Sequence, residues 1–216
     1  AGANVEAIDK QGANALLLAL SNNHLKTATF LIEYGITITT ADQKKYNPLM
    51  AAVSQGSFEL TKSLIKKGAV VNAQDYAGKT ALMIAAGKGD MKIVKLLLRE
   101  QGRLDFRDRY GRTAWMYAAE QQRISMVRFL SNNEIDNHEN LFYAVSHGLF
   151  KVVETLLELH ANTGVRDSQG WTPLMWAANN GHAKIVELLL KGGTNINSSN
   201  GKSPNVSGWT PLMLAA

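Results

Sequence analysis

The 216-residue chain has no cysteine, which excludes disulfide frameworks, cysteine-bound zinc and thiol nucleophiles. That absence is compatible with either redox compartment. No apolar run approaches the roughly 18 to 20 residues that cross a bilayer, so no membrane segment is expected. No signal-peptide pattern stands at Ala1; the first residues read as the middle of a repeat, so a preceding part of the protein is expected. The histidines His24, His138, His147, His160 and His182 form no i, i+4 pair on one helix, and the ligand spacing of a metal site is lacking. No Gly-x-Ser-x-Gly elbow occurs. Gly87-Lys88-Gly89 resembles the start of a phosphate loop but lacks its third glycine and a preceding buried strand. No enzymatic activity, metal or cofactor is therefore expected of this segment.

Net charge is also small. The chain is 19% charged and 45% hydrophobic, with a formal net charge of +5. That composition is ordinary for a folded soluble domain, and the charge is too small to imply nucleic acid by itself.

What is present is a repeat. Asn47-Pro48-Leu49-Met50-Ala51-Ala52, Thr80 to Ala86, Thr113 to Ala119, Thr172 to Ala178 and Thr210 to Ala216 are versions of one phrase, with weaker copies at Ala15–Ala19 and Asn140–Ala144. The equivalent alanines Ala19, Ala52, Ala85 and Ala118 stand 33 residues apart. The next step, to Ala144, is 26 residues; then come 33 to Ala177 and 38 to Ala215. Later in each unit, Ile93-Val94-Lys95-Leu96-Leu97-Leu98 matches Val152–Leu157 and Ile185–Leu190. Apolar residues at i, i+3 and i+4 mark amphipathic helices. Gly35, Gly68 and Gly193 follow such helices, where a left-handed residue ends a helix. Asp9, Asp42, Asp75, Asp108 and Asp167 sit near turns, four of them with a glycine three residues on (Gly12, Gly78, Gly111, Gly170).

A 33-residue period with this phrasing resembles the ankyrin repeat family, whose pattern runs Asp-x-x-Gly-x-Thr-Pro-Leu-His-x-Ala-Ala, then Gly-His, then a Leu-rich helix. Asp167 to Asn197, with Gly181-His182, follows it almost throughout, and the likeness covers essentially the whole chain. It implies an all-α solenoid of stacked helix-turn-helix units with β-hairpin fingers, and a protein-interaction scaffold. One unit cannot bury its own apolar face, so neighbours must stack. The chain reads as a single repeat domain over 1–216. Its units run 9–41, 42–74, 75–107, 108–133, 134–166 and 167–204, after the tail of a preceding repeat at 1–8 and before a further one opening at 205–216. The expected partner is another protein, with no nucleic acid, and the expected state is an intracellular monomer. A regulatory or substrate-recruiting arm of an enzyme whose catalytic domain lies elsewhere is the alternative.

Three departures stand out. The family's histidine is replaced by Leu17, Met50, Met83, Met116, Phe142, Met175 and Met213. That row is either core filling or a methionine-rich binding stripe. The 26-residue step removes a finger around Ser131 to Glu139, and the 38-residue step lengthens one over the Ser/Asn/Gly-rich stretch Ser198 to Ser207, which holds one of two Asn-x-Ser sequons (Asn197, Asn205). Neither sequon is read as glycosylated.

The basic excess is local. From Tyr76 to Arg128 there are eleven Lys/Arg against five Asp/Glu, enough to account for the whole net charge. In the family, finger positions face the binding groove, and Arg107, Arg109 and Arg112, with Lys79 of the previous finger and Lys88 nearby, fall there beside Tyr76 and Tyr110. Arg and Tyr are enriched in interfaces because they join flat contact area to hydrogen bonding. The patch reads as a site for an acidic segment, or as a solvated face paired locally to Asp105 and Asp108. Trp171 and Trp209 share a second finger position; each is either an interface anchor or a cover for its neighbouring hairpin.

Overall fold

The computed structural model describes residues 4–133, 138–196, 208 and 210–214. Its helices alternate between first and second members of helix pairs: α1 (Ala15–Ser21), α2 (Leu25–Tyr34), α3 (Pro48–Ser54), α4 (Phe58–Lys66), α5 (Ala81–Lys88), α6 (Met91–Arg99), α7 (Ala114–Glu120), α8 (Ile124–Ser131), α9 (His138–Ser146), α10 (Phe150–Glu158), α11 (Pro173–Asn179), α12 (Ala183–Lys191) and α13 (Pro211–Leu214). They fall into two compact units, Ala1–Gln121 and Gln122–Ala216. In the first, α1, α3, α5 and α7 pack side by side, and α2, α4 and α6 form a second layer against them. In the second, α9, α11 and α13 form one row and α8, α10 and α12 the other.

Five of the first helices start where their caps dictate. Asn14, Asn47, Thr80, Thr113 and Thr172 are extended, and their side chains accept from the N–H groups of Leu17, Met50, Met83, Met116 and Met175. A side-chain oxygen there satisfies one of the four donors that a helix start leaves unpaired. Pro48 and Pro173 open their helices, where a missing N–H does no harm. The residues in the family's histidine position turn inward. Leu17, Met50, Met83, Met116 and Met175 are all buried, while Phe142 is half-buried and Met213 exposed. Core filling therefore holds for five of the seven. In one unit the methionine also makes a hydrogen bond, since the Met175 sulfur accepts from the Thr172 N–H at 3.4 Å.

The helix pairs meet through small residues on one side and long apolar ones on the other. Ala52, Ala85, Ala118, Ala144 and Ala177 are completely buried, as are Leu64, Leu97, Leu130, Leu156 and Leu189 of the second helices. Burying each of those leucines contributes roughly 1.5–3 kcal/mol. Gly35, Gly68 and Gly193 have φ of 96°, 94° and 79°, the left-handed turn expected after a second helix. Gly87 and Lys88 are helical and Gly89 caps α5 at φ 77°, so that glycine pair ends a helix and cradles nothing.

The fingers are tight turns rather than long hairpins. Among the described residues one isolated bridge, Ile8 with Asn14, has strand geometry. The linker from α8 to α9 starts after Ser131 and ends before His138, against Arg99 to Ala114 for the preceding pair. Residues 134–137 of that linker, the stretch Ser198 to Ser207 and both sequons lie outside the described residues, as does Trp209.

Candidate functional site

Each finger turns about its aspartate. Asp9, Asp42, Asp75, Asp108 and Asp167 use Oδ1 to accept from the backbone N–H groups two and four residues on, all at 2.8–2.9 Å. The residue four on returns its carbonyl to the aspartate's own N–H. This is the local side-chain-to-backbone bonding that makes aspartate a turn residue. In the first unit the tips are also joined to one another. Gln43, Tyr76 and Arg109 donate their N–H groups to the carbonyls of Gln11, Lys44 and Ala77 at 2.7, 2.8 and 2.8 Å. The four tips from Asp9 to Asp108 therefore form one hydrogen-bonded row.

On that row Tyr76 and Tyr110 are 64% and 71% exposed. An exposed aromatic ring held on a braced backbone is a pre-ordered contact surface. Two guanidinium groups approach the Tyr110 ring, that of Arg109 at 5.6 Å and that of Arg112 at 5.2 Å from its centroid. Lys45 places its ammonium 5.1 Å from the Tyr76 ring.

Behind the last tip is a closed polar cluster. Asp108 is buried; its Oδ2 accepts from Arg112 Nε at 2.9 Å and from the Tyr117 hydroxyl at 2.8 Å. Arg112 also donates to the Tyr117 oxygen at 2.8 Å and reaches Glu120 at 3.3 Å. Its guanidinium and the Lys79 ammonium lie 4.6 and 5.0 Å from the Tyr117 ring centroid. Burial raises the Asp108 carboxyl, but the hydrogen bonds from Arg112, Tyr117 and Tyr110 together outweigh it and hold the group below its ordinary value. Burial and then the bond to Asp108 push the Tyr117 phenol well above its usual range.

The three arginines thus have different situations. Arg112 is locked inward on Asp108 and Glu120. Arg107 braces its own finger, donating to the Gly111 carbonyl at 3.0 Å, as Arg166 does to Gly170 and Gln74 to Gly78. Arg109 is exposed at the tip. Lys88 is exposed at the end of α5, and no hydrogen bond or ion pair among the described residues ties it to the fingers. Arg103 pairs with Asp105.

Trp171 is half-buried and packs against Trp176, with ring centroids 5.3 Å apart. The Trp176 indole N–H donates to Asp167 Oδ2 at 2.8 Å, the role that Tyr117 plays for Asp108. Sequence reasoning missed Lys45, Tyr117, Glu120 and Trp176. The available signals were a finger without its glycine and aromatic residues nine positions after a finger aspartate. Phe30 and Tyr34, exposed on α2 and stacked at 6.1 Å, were also missed.

Among the described residues there is no cluster of three or more potential metal-ligating side chains and no helix long and apolar enough to cross a membrane. The profile for ankyrin repeats matches the chain in three copies, over residues 1–75, 75–140 and 141–216. The chain is 33% identical over 84 residues to the ankyrin repeat and SAM domain-containing protein 6 of Mus musculus, a match covering 38% of this chain and 9% of that protein. It is 36% identical over 86 residues to the glycerophosphocholine phosphodiesterase gde1 of Schizosaccharomyces pombe, covering 38% and 7%. The chain thus matches less than a tenth of the length of either relative. Its fold is similar to the crystal structure of the human ASB11 ankyrin repeat domain, with a TM-score of 0.77 and 25% identity over 94% of this chain and 92% of that one. The chain belongs to the ankyrin repeat family, a general protein-interaction module.

Proposed function

We propose that the chain is a non-catalytic scaffold that binds an acidic segment of a partner protein on the fingertip row of its first unit, with Arg109 and Tyr110 at the centre. The observation that carries this reading is the hydrogen-bonded ladder of tips, Tyr76 to Lys44 and Arg109 to Ala77. It presents two exposed tyrosines and their cations on a backbone already ordered before binding. Tyr76 and Lys79 flank the centre. Arg112 takes part through the Tyr110 ring, with its own charge already met by Asp108 and Glu120. Arg107 keeps the turn in shape, and Lys88 adds a peripheral charge. Trp171 spends one face on Trp176, which makes it the lesser candidate.

A protein partner is favoured over nucleic acid because ankyrin repeats are a general protein-interaction module and a net charge of +5 is small for a phosphate chain, whose binding would scale with phosphate contacts. Fluorescence anisotropy with a glutamate-rich peptide and its glutamine counterpart tests the reading. We expect binding of the first only, lost in Arg109→Glu and Tyr110→Ala. Equal binding of both peptides, or indifference to both substitutions, overturns it.

A further inference from the structure

Four fingers close with a glycine in the left-handed region, Gly12, Gly78, Gly111 and Gly170, at φ between 77° and 86°. In the finger of Asp42 the same place is held by Lys45, at φ 58°, and its N–H makes the same bond to the aspartate carbonyl, at 2.8 Å. Asn23, Gln101, Gln122 and His160 also have positive φ, but each directly follows a helix cap. Among the described residues Lys45 is therefore the one side chain made to adopt this conformation at a fingertip. Glycine adopts it without the clash that a Cβ brings.

The fold gains little in return from the Lys45 side chain. It is exposed, and its contact with another side chain is the approach to the Tyr76 ring, itself mostly exposed. A cation over an aromatic face in water is a weak interaction. Strain kept where the fold does not need it points to function. Lys45 also lines a cleft with Ile38, Ala69, Val70 and Ala73, and Val70 there is 62% exposed. Thr39, Asn47 and Gln74 also line it, so Lys45 borders a hollow with a mainly apolar wall, on the tip directly bonded to Tyr76.

We infer that Lys45 is a binding residue: it receives a carboxylate of the partner's acidic segment while a neighbouring apolar side chain of that segment enters the cleft of Ile38 and Val70. This rests on the proposed function and extends it. Lys45 with Tyr76 and Arg109 with Tyr110 become two cation–aromatic pairs along one row, read by two acidic positions of an extended segment.

The distinguishing experiment exploits opposite signs. Lys45→Gly removes the strain and the cation together. We expect it to raise the melting temperature by about 2 °C and to weaken anisotropy-measured binding of a short glutamate-rich peptide carrying one central leucine by about three- to five-fold. Lys45→Arg, which keeps the cation, is expected to bind within two-fold of the parent. Replacing the peptide's leucine by glutamate is expected to weaken binding to the parent. Unchanged peptide binding by a stabilised Lys45→Gly overturns the inference, and so does a lowered melting temperature, which makes the side chain structural. If Lys45→Gly has no effect on binding while Arg109→Glu abolishes it, this inference alone falls. If the parent does not bind the peptide, or binds it regardless of Arg109 and Tyr110, the wider reading falls with it.

Discussion

The Tyr117 hydroxyl donates to Asp108 Oδ2 across 2.8 Å, joining the first turn of a helix pair to the finger nine residues before it. Trp176 and Asp167 make the same link in the second unit, also at 2.8 Å. Nine residues after Asp9, Asp42 and Asp75 stand Leu18, Ala51 and Ile84, none of which can donate. The link ties two fingers to the helices beside them, and in the first unit it draws Arg112 inward.

Removing the donor should therefore be felt in stability. Tyr117→Phe keeps the ring and deletes the bond to a buried carboxylate, so a loss of about 1–2 kcal/mol is expected. Asp108→Ala also deletes the turn's acceptor and leaves Arg112 half-buried beside Glu120, with an expected loss of about 3 kcal/mol or more. Urea unfolding of the purified chain measures both. An unchanged midpoint for Tyr117→Phe would show that the link is ornamental.

The cluster has a pH signature. The folded carboxyl of Asp108 sits below its ordinary value, so its contribution is present above the unfolded value of about 3.9 and lost as pH falls through the folded one. The stability gap between the parent and Asp108→Asn should narrow below about pH 4. Tyr117 is shifted the other way. Its contribution is full below the unfolded value of about 10 and declines as pH rises beyond it. Burial also raises the Tyr46 phenol, so an ultraviolet titration should show late-ionising tyrosines, and Tyr117→Phe should remove one of them.

Two glycines with nearly the same backbone should respond differently to alanine. Gly78 and Gly111 have φ of 78° and 77°. A Cβ on Gly78 would stand 2.9 Å from the Asp108 Cα, whereas at Gly111 it meets nothing within 4 Å. Gly111→Ala should cost about 1 kcal/mol for the left-handed backbone. Gly78→Ala should cost about 2 kcal/mol or more, because it also pushes the next finger off the ladder. Equal losses would mean that the tips are not packed as closely as described.

The stacking was legible because it depends on local signals repeated at a fixed period: cap, alanine, leucine stripe, closing glycine. Ala52 and Ala85 are in the core because an alanine there lets two helices approach, and the sequence states that several times over. The finger arginines were not legible in the same way. Arg107, Arg109 and Arg112 look alike in sequence, yet one braces a carbonyl, one stands beside the Tyr110 ring at the tip and one is half-buried on Asp108. What separates them is the identity of Tyr117 and Glu120, which lie beyond the finger and come near only when the helix forms. The conformation of Lys45 was hidden for a related reason. The turn is set by Asp42, so it closes at Lys45 although glycine is missing there.

The most direct test maps the contact itself. Amide chemical shifts of the isotopically labelled chain, recorded as the leucine-containing glutamate-rich peptide is added, should move at Lys44, Lys45, Tyr76, Ala77, Arg109 and Tyr110. The amides of Phe30, Tyr34 and Trp171 should stay still. Shifts concentrated on α2 or around Trp171, with the fingertip row unmoved, would contradict the assignment of this row as the binding surface.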